Sequence, residues 1–251
     1  MKKITSVFLC LAVLISVFAL SGCAAKETMK FGVGVYSKIN KNTDALGSEN
    51  GVGEADITGA AVLLNDKGKI VDCFFDSVSP TVEYNAKGEA VPGEKPVSKY
   101  ALGEEYKMSE SNYDANGDGT VKEWYEQADI LANFIKGKTV DEVNKIIAAG
   151  GRGNDDLMSA GCTIVISPFV AALEKAVAKA EDVAGNKDMH VELLTSAERK
   201  DTNAADGVKG IINVDTTFSA KLTDKSGKEI SAKTEKINTK FEFDQTGKGS
   251  K

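Results

Sequence analysis

Residues 155–180, DDLMSAGCTIVISPFVAALEKAVAKA, contain the pattern from which we interpret the rest of the chain. The small residues of segment 159–163 precede a β-branched run, Ile164-Val165-Ile166, which predicts a short strand. Ser167 and Pro168 then favour a helix N-cap and a first helical turn. Apolar residues follow at the spacing of one buried helix face: Phe169, Ala172, Leu173, Ala176, Val177 and Ala180. A hydroxyl, that of Thr163, just before a helix N-terminus suits an anion such as phosphate. The same pattern also fits an ordinary strand-to-helix junction.

Residues 1–23 resemble a bacterial lipoprotein signal. Lys2 and Lys3 form the charged start and residues 7–20 the apolar core, which is too short and wrongly flanked for a lasting membrane span. Leu20-Ser21-Gly22-Cys23 follows and is similar to a lipobox. We therefore expect cleavage before Cys23, a diacylglyceryl group on its sulfur, and attachment to the extracytoplasmic side of the cell membrane.

Composition excludes several classes of function. Of 31 Lys and Arg, two lie in residues 1–22, so 29 remain against 37 Asp and Glu, a net charge of about −8 that does not suit nucleic acid. His190 is the only histidine, so neither a multi-His zinc site nor a His-dependent nucleophile can be assembled. Once Cys10 leaves with the signal and Cys23 carries lipid, Cys73 and Cys162 remain, either as a disulfide or as small buried hydrophobes.

Strand and helix patterns together predict an α+β fold, an antiparallel sheet with packed helices. Apolar strand patterns occupy residues 31–35, 60–64 and 81–84, with a hairpin turn at 66–68. The helix that follows carries a buried stripe: Trp124, Ala128, Leu131 and Ile135. Thr139 and Glu142 form a capping box for the next helix. Gly32 and Gly34 are not followed by a helix, so they do not indicate a nucleotide-binding loop.

The C-terminal part repeats the front of the chain. Residues 241–248, FEFDQTGK, echo residues 82–89, VEYNAKGE, and both follow a similar turn at a similar distance. Such self-similarity indicates duplication. We expect a signal peptide at 1–22, a tether at 23–30, an α+β domain at 31–185 and a β-only partial repeat at 186–251.

Ala160-Gly161-Cys162-Thr163 resembles the flavin-attachment segment of FMN-binding domains. These domains occur in membrane-bound quinone reductase and Rnf-type subunits and in Gram-positive lipoproteins of the extracellular electron-transfer or pheromone-precursor type. In them a Ser-Gly-Ala-Thr run carries FMN esterified to its threonine. The resemblance extends over residues 23–180 and implies FMN on Thr163, with four neighbours close to it: Ser159, Ala160, Gly161 and Cys162.

The match departs from the family pattern at two positions. Ala160 stands where the family often has Ser. The flavin transferase that attaches FMN in this family tends to require an Asp six residues before the Thr, where this chain has Leu157, and Asp156 is one residue further away. Ser159 and Ser167 are the competing hydroxyls, but only Thr163 follows a Gly at the family's spacing.

Residues 114–120, DANGDGT, match the first half of a calcium loop. Oxygen ligands are expected from Asp114, Asn116, Asp118 and Thr120. Position 12 is Tyr125 rather than an acid, so Glu123 or Glu126 would have to substitute. The alternative is an Asp/Asn/Gly turn in which Asp118 caps the following helix.

We expect a lipid-anchored extracytoplasmic flavoprotein, an electron carrier more than a catalyst, whose partners are a flavin transferase and a membrane redox protein. The alternative is a surface binding or structural lipoprotein without flavin, with calcium as a stabilising ion. A third hypothesis assigns a signalling role to the released peptide, which ends at Gly22.

Overall fold

Two antiparallel sheets and one layer of helices form three layers in this computed structural model, which describes residues 28–110 and 121–250. The predicted export signal, the predicted lipidation site Cys23 and four predicted calcium ligands (Asp114, Asn116, Asp118 and Thr120) lie outside the described residues. The mixture of antiparallel sheet and packed helices confirms the α+β class.

The first sheet is sandwiched between the helices and the second sheet. Its strands are β1 (Thr28–Asn42), β2 (Gly51–Leu64), β3 (Ile70–Val78), β4 (Thr81–Tyr84) and β5 (Glu181–Ala184). They run in the order β3-β2-β1-β5, and β4 pairs with β2. Since both faces are covered, the second half of β2 is apolar at almost every position, as the run at residues 60–64 predicts. β1 begins at Thr28, before the expected start at residue 31.

The second sheet has the order β6-β7-β8, from β6 (His190–Thr202), β7 (Gly210–Thr223) and β8 (Glu229–Phe243). One face packs on the first sheet and the other faces solvent, so β7 alternates between buried and partly exposed residues. Among residues 186–250, only strands and turns occur, as the β-only repeat predicts.

Five α-helices lie in the described part of the middle region: α1 (Lys99–Leu102), α2 (Trp124–Ile135), α3 (Val140–Asn144), α4 (Asp155–Ser159) and α5 (Ser167–Ala178). Short 3₁₀ turns occupy Gly103–Tyr106 and Ala149–Gly151. The stripe of α2 is buried as predicted, and Thr139 and Glu142 form the predicted capping box of α3.

Two local predictions are wrong. Ile164-Val165-Ile166 is not a strand of either sheet, because Val165 forms only an isolated bridge with Arg152. Ser167 does not cap α5; it is the first helical residue, and the N-cap position is Ile166. The N-cap of α2 is Glu123, and Asp118, the alternative cap, lies outside the described residues.

Helix α5 lies directly on β1. A Cβ atom at Gly32 or Gly34 would overlap the backbone of α5 at Ala176, so these two glycines permit close approach of the helix to the sheet. This is a packing role and not a nucleotide-binding one.

The two β units contact each other reciprocally. The N–H of Ala45 donates to the carbonyl of Gly247 and the N–H of Ala204 donates to that of Gly88, both at 2.7 Å. The rings of Tyr84 and Phe243 stack with centroids 4.4 Å apart. The paired residues are equivalent positions in the two units, so the contacts support the internal duplication.

Candidate functional site

A cavity of about 500 Å³ lies on the helix side of the first sheet, near the end of β1 that is farther from Thr28. Its floor consists of polar side chains on β1, β2 and β3, including Lys38, Asp56 and Thr58. Its walls come from α2, from the segment that ends in α5, and from residues around α1. The volume is in the range of small-molecule sites.

Thr163 lies on the wall of this cavity, half-buried. Its hydroxyl donates to Oε1 of Gln127 at 3.2 Å, and its N–H donates to the same oxygen at 2.8 Å. Its carbonyl accepts a short hydrogen bond from the Arg152 guanidinium. The side chain of Thr163 is therefore held in one place, on the wall of the cavity.

Gln127 connects the cavity walls. Its side chain is buried, 1% exposed, and its Oε1 also accepts from the N–H of Ile164 at 3.1 Å. Its Nε2 donates to the carbonyl of Lys122 at 2.9 Å and contacts Sδ of Met108 at 3.7 Å. One amide thus orients Thr163 and links α2 to the chain on the opposite wall.

Charges around the cavity favour an anion. Lys38, Lys99 and Arg152 line it, and Asp56 is the one carboxylate among its described lining residues. The Asp56 carboxylate accepts from Asn40 at 2.6 Å and from Ser79 at 2.5 Å. A local excess of positive charge in a chain with a net charge of −6 indicates that this cavity favours an anionic ligand.

Aromatic rings supply the apolar part of the lining. Trp124 is 3% exposed and stacks on Phe169 with centroids 5.7 Å apart. The Lys99 ammonium lies 5.9 Å from the Trp124 ring centroid and 5.3 Å from that of Tyr106. Cations, rings and a hydroxyl in one cavity suit a ligand that combines a planar ring system with an anionic group.

Comparison of the chain with family models, with curated proteins and with solved structures finds no match. None of the described helices is long and apolar enough to cross a membrane. The interpretation of the site thus depends on its own residues and on the sequence resemblance.

The five predicted flavin-site residues lie in different environments. Ser159 and Ala160 are exposed and do not line the cavity. Gly161 has φ +99, a backbone conformation that favours glycine. Cys162 is completely buried behind the wall. Thr163 alone among the five lines the cavity, together with Ser167, one of the competing hydroxyls.

Cys73 and Cys162 are both free and buried. Burial raises the pKa of Cys162 to about 12, so its thiol stays protonated at neutral pH. The two cysteines are therefore small buried hydrophobic residues, one of the two predicted alternatives, and do not form a disulfide.

Glu123 and Glu126, the two predicted calcium ligands that the structure describes, make contacts with backbone N–H groups. Glu126 accepts from the N–H of Glu123 at 2.8 Å, and Glu123 accepts from the N–H groups of Met108 and Ser109. Burial raises the pKa of Glu123, but hydrogen bonds from Ser109, Met108 and Trp124 outweigh it and hold that pKa below its usual value. Within residues 28–110 and 121–250, no three acidic, His or Cys side chains form a metal-binding group.

Sequence reasoning missed Gln127, Lys38, Lys99 and Arg152 as site residues. They are separated by long stretches of chain, and each is of a common surface or helix type, so spacing gave no signal. Of these four residues, only Gln127 could have been recognised from local sequence, because it is a polar residue within the buried face of α2.

Proposed function

We propose that the chain is a lipid-anchored extracytoplasmic flavoprotein that carries electrons at the outer face of the cell membrane. FMN would occupy the cavity and be esterified to Thr163. The observation that carries the proposal is the position of the Thr163 hydroxyl on the wall of a cationic, aromatic cavity. The finer resemblance of the fold to FMN-binding domains is part of the same proposal.

The geometry around Thr163 meets the needs of a phosphoester. In ester formation Oγ1 attacks the FMN phosphorus of an activated donor such as a flavin pyrophosphate; the Oγ1–P bond forms, the bond from phosphorus to the donor's leaving group breaks, and the Oγ1 proton is released. Oγ1 therefore no longer donates to Gln127. The Thr163 and Ile164 N–H groups keep their hydrogen bonds to that amide, so the backbone stays in place. Arg152 lies on the same wall and provides a cation for the phosphate.

The remaining lining residues bind and orient the ring system. Trp124, Tyr106 and Tyr36 offer faces or edges to a planar ligand, and the polar floor offers Thr58 and Ser77, which are hydrogen-bonded to each other at 2.9 Å. Bound FMN supplies the electron-transfer chemistry. The protein contributes binding, orientation and the exclusion of water from one side of the ring.

Intact-mass measurement tests the attachment. Protein co-expressed with a flavin transferase should gain the mass of one FMN less one water, and Thr163→Ala should abolish the gain. Thr163→Ser, which keeps a hydroxyl, should restore part of it. Ser167→Ala is the matched control, because Ser167 is the other cavity hydroxyl. A gain that survives Thr163→Ala would assign the ester elsewhere.

Fluorescence tests the cavity without covalent chemistry. Trp124 is the single tryptophan of the chain, so FMN in the cavity should quench its emission. Lys38→Ala, which removes a cavity cation, should weaken the binding of free FMN. If the wild type shows neither quenching of Trp124 nor a gain in mass, that result would favour the alternative, a surface lipoprotein without flavin.

A further inference from the structure

We propose that residues 98–109 form a strap that gates the cavity, with its two ends held closed by the buried carboxylates of Asp76 and Glu123. The strap contains α1 and the 3₁₀ turn that follows it. The strap would control access to the cavity described above. Only the identity of the ligand as FMN rests on the proposed function.

The strap forms one wall of the cavity. Lys99, Tyr106 and Met108 belong to it and line the cavity. Lys99 lies over the Trp124 ring, so the strap covers the side chain most suited to stack on a ligand. Movement of this segment would change access to the cavity without disturbing either sheet.

Asp76 holds the first end. It lies on β3, is 2% exposed, and its Oδ1 accepts from the N–H of Tyr100 at 3.1 Å and from that of Ser77 at 2.7 Å. Ser98, two residues before Tyr100, is the one buried residue of the strap. A buried carboxylate on a rigid strand thus connects the start of the strap to the first sheet.

Glu123 holds the second end. It is 5% exposed and accepts from the N–H of Met108 at 3.0 Å, the N–H of Ser109 at 3.1 Å and the Ser109 hydroxyl at 2.5 Å. Hydrogen bonds to an ionised carboxylate are about twice as strong as neutral ones. Glu123 is also the N-cap of α2, so this end of the strap is fixed to the helix that carries Gln127.

Between the two carboxylates the strap is only partly buried. Neither α1 nor the 3₁₀ turn has a buried residue. Gly103 has φ +53 and Lys107 has φ +59, and Lys107 is the only non-glycine residue with positive φ among the described residues. Such backbone strain in a non-glycine residue concentrates at functional segments and marks a candidate hinge.

Side-chain contacts along the strap limit the movement. The Tyr100 ring packs on Phe74 with centroids 4.6 Å apart, and its hydroxyl lies 3.3 Å from Asp129. Tyr106 and Met108, nearer the Glu123 end, are half-buried and pack against the helix-side core. Opening therefore breaks these contacts as well as the hydrogen bonds to the two carboxylates. Segments with few buried side chains and polar end contacts open at low free-energy cost.

Acrylamide quenching of Trp124 in the protein without ligand tests the gate. Glu123→Gln and Asp76→Asn replace a carboxylate acceptor with a weaker neutral one, so each should raise the quenching constant. Glu123→Gln should lower the hydrogen-exchange protection of the Met108 and Ser109 amides by roughly tenfold, and Asp76→Asn that of the Tyr100 amide.

The matched controls replace carboxylates that do not contact the strap. Glu142→Gln breaks the capping box of α3, and Asp72→Asn changes a carboxylate on β3 that accepts from the N–H of Val191. Both should leave Trp124 quenching unchanged. Ser109→Ala removes only one hydroxyl contact to Glu123 and keeps the proposal testable where a carboxylate variant fails to fold. The gate is overturned if the Glu123 and Asp76 variants show the same acrylamide quenching constant as the control variants. It is also overturned if Glu123→Gln, Asp76→Asn and Ser109→Ala all leave that constant unchanged.

The FMN experiment is separate. If the strap gates the cavity and FMN is the ligand, Glu123→Gln should speed FMN association. If the wild type binds no FMN while the quenching results hold, the proposed function fails and the gate stands.

Discussion

Replacing Gln127 with leucine should destabilise the protein by about 3 kcal/mol. The side-chain oxygen accepts from the N–H groups of Thr163 and Ile164, and leucine cannot replace it. An unsatisfied buried donor costs roughly 1–3 kcal/mol. Ile164 is 8% exposed and its N–H would bear most of this penalty, whereas the Thr163 N–H lies beside the cavity, where water can reach it.

The loss should appear in urea and thermal unfolding. For a chain of this size, a loss of 1 kcal/mol in the free energy of unfolding lowers the melting temperature by about 2–4 °C. The melting temperature of Gln127→Leu should therefore fall by about 6–12 °C. Native-state hydrogen exchange should show lost protection at the Thr163 and Ile164 amides. Gln127→Glu keeps an acceptor for both N–H groups and should preserve that protection.

Asn133→Leu is the matched control, because Asn133 is exposed on the same helix. It should change stability by less than about 0.5 kcal/mol. A loss in Gln127→Leu no larger than that of the control, or unchanged protection at Thr163 and Ile164, would refute the assigned role of the amide.

Three other predictions concern packing, anchoring and calcium. Gly34→Ala should cost at least about 3 kcal/mol in urea unfolding, because the new Cβ would overlap backbone atoms of α5 and not a flexible side chain. Cys23→Ser should release the protein from membranes or leave it unprocessed, and a variant that fractionates and migrates like the wild type would contradict the lipid anchor. Millimolar calcium should raise the melting temperature, and Asp114→Ala should remove that response, whereas identical melts in calcium and chelator would exclude the site.

Elements specified by local chemistry could be predicted from the sequence. The capping box of Thr139 and Glu142 depends on residues three apart, and the buried face of α2 on a repeat of 3.6 residues, so both follow from nearby side chains. The hairpin turn after β2 likewise follows from its own residues: the N–H of Gly68 donates to the carbonyl of Asn65, and Gly68 has φ +69.

The junction before α5 shows where local patterns are insufficient. Ile164-Val165-Ile166 has strand-forming residues, but the run pairs with no strand of either sheet, and only Val165 forms an isolated bridge, with Arg152. Its backbone instead bonds to Gln127 and Gly151 from distant parts of the chain. Propensity describes which conformations a segment tolerates, and available hydrogen-bond partners decide which one it adopts.

The sequence by itself determined the export signal pattern, several strands of the first sheet, the buried face of α2, the repeated β pattern and the choice of Thr163 as candidate attachment point. Only the tertiary structure decided that Gly32 and Gly34 serve helix packing, that Gln127 holds Thr163, and that Lys38, Lys99 and Arg152 meet in one cavity. Caps, turns and buried faces depend on residues a few positions apart. A cavity depends on groups brought together from β1, α1, α2 and the segment before α5, and no spacing along the chain encodes their distance in space.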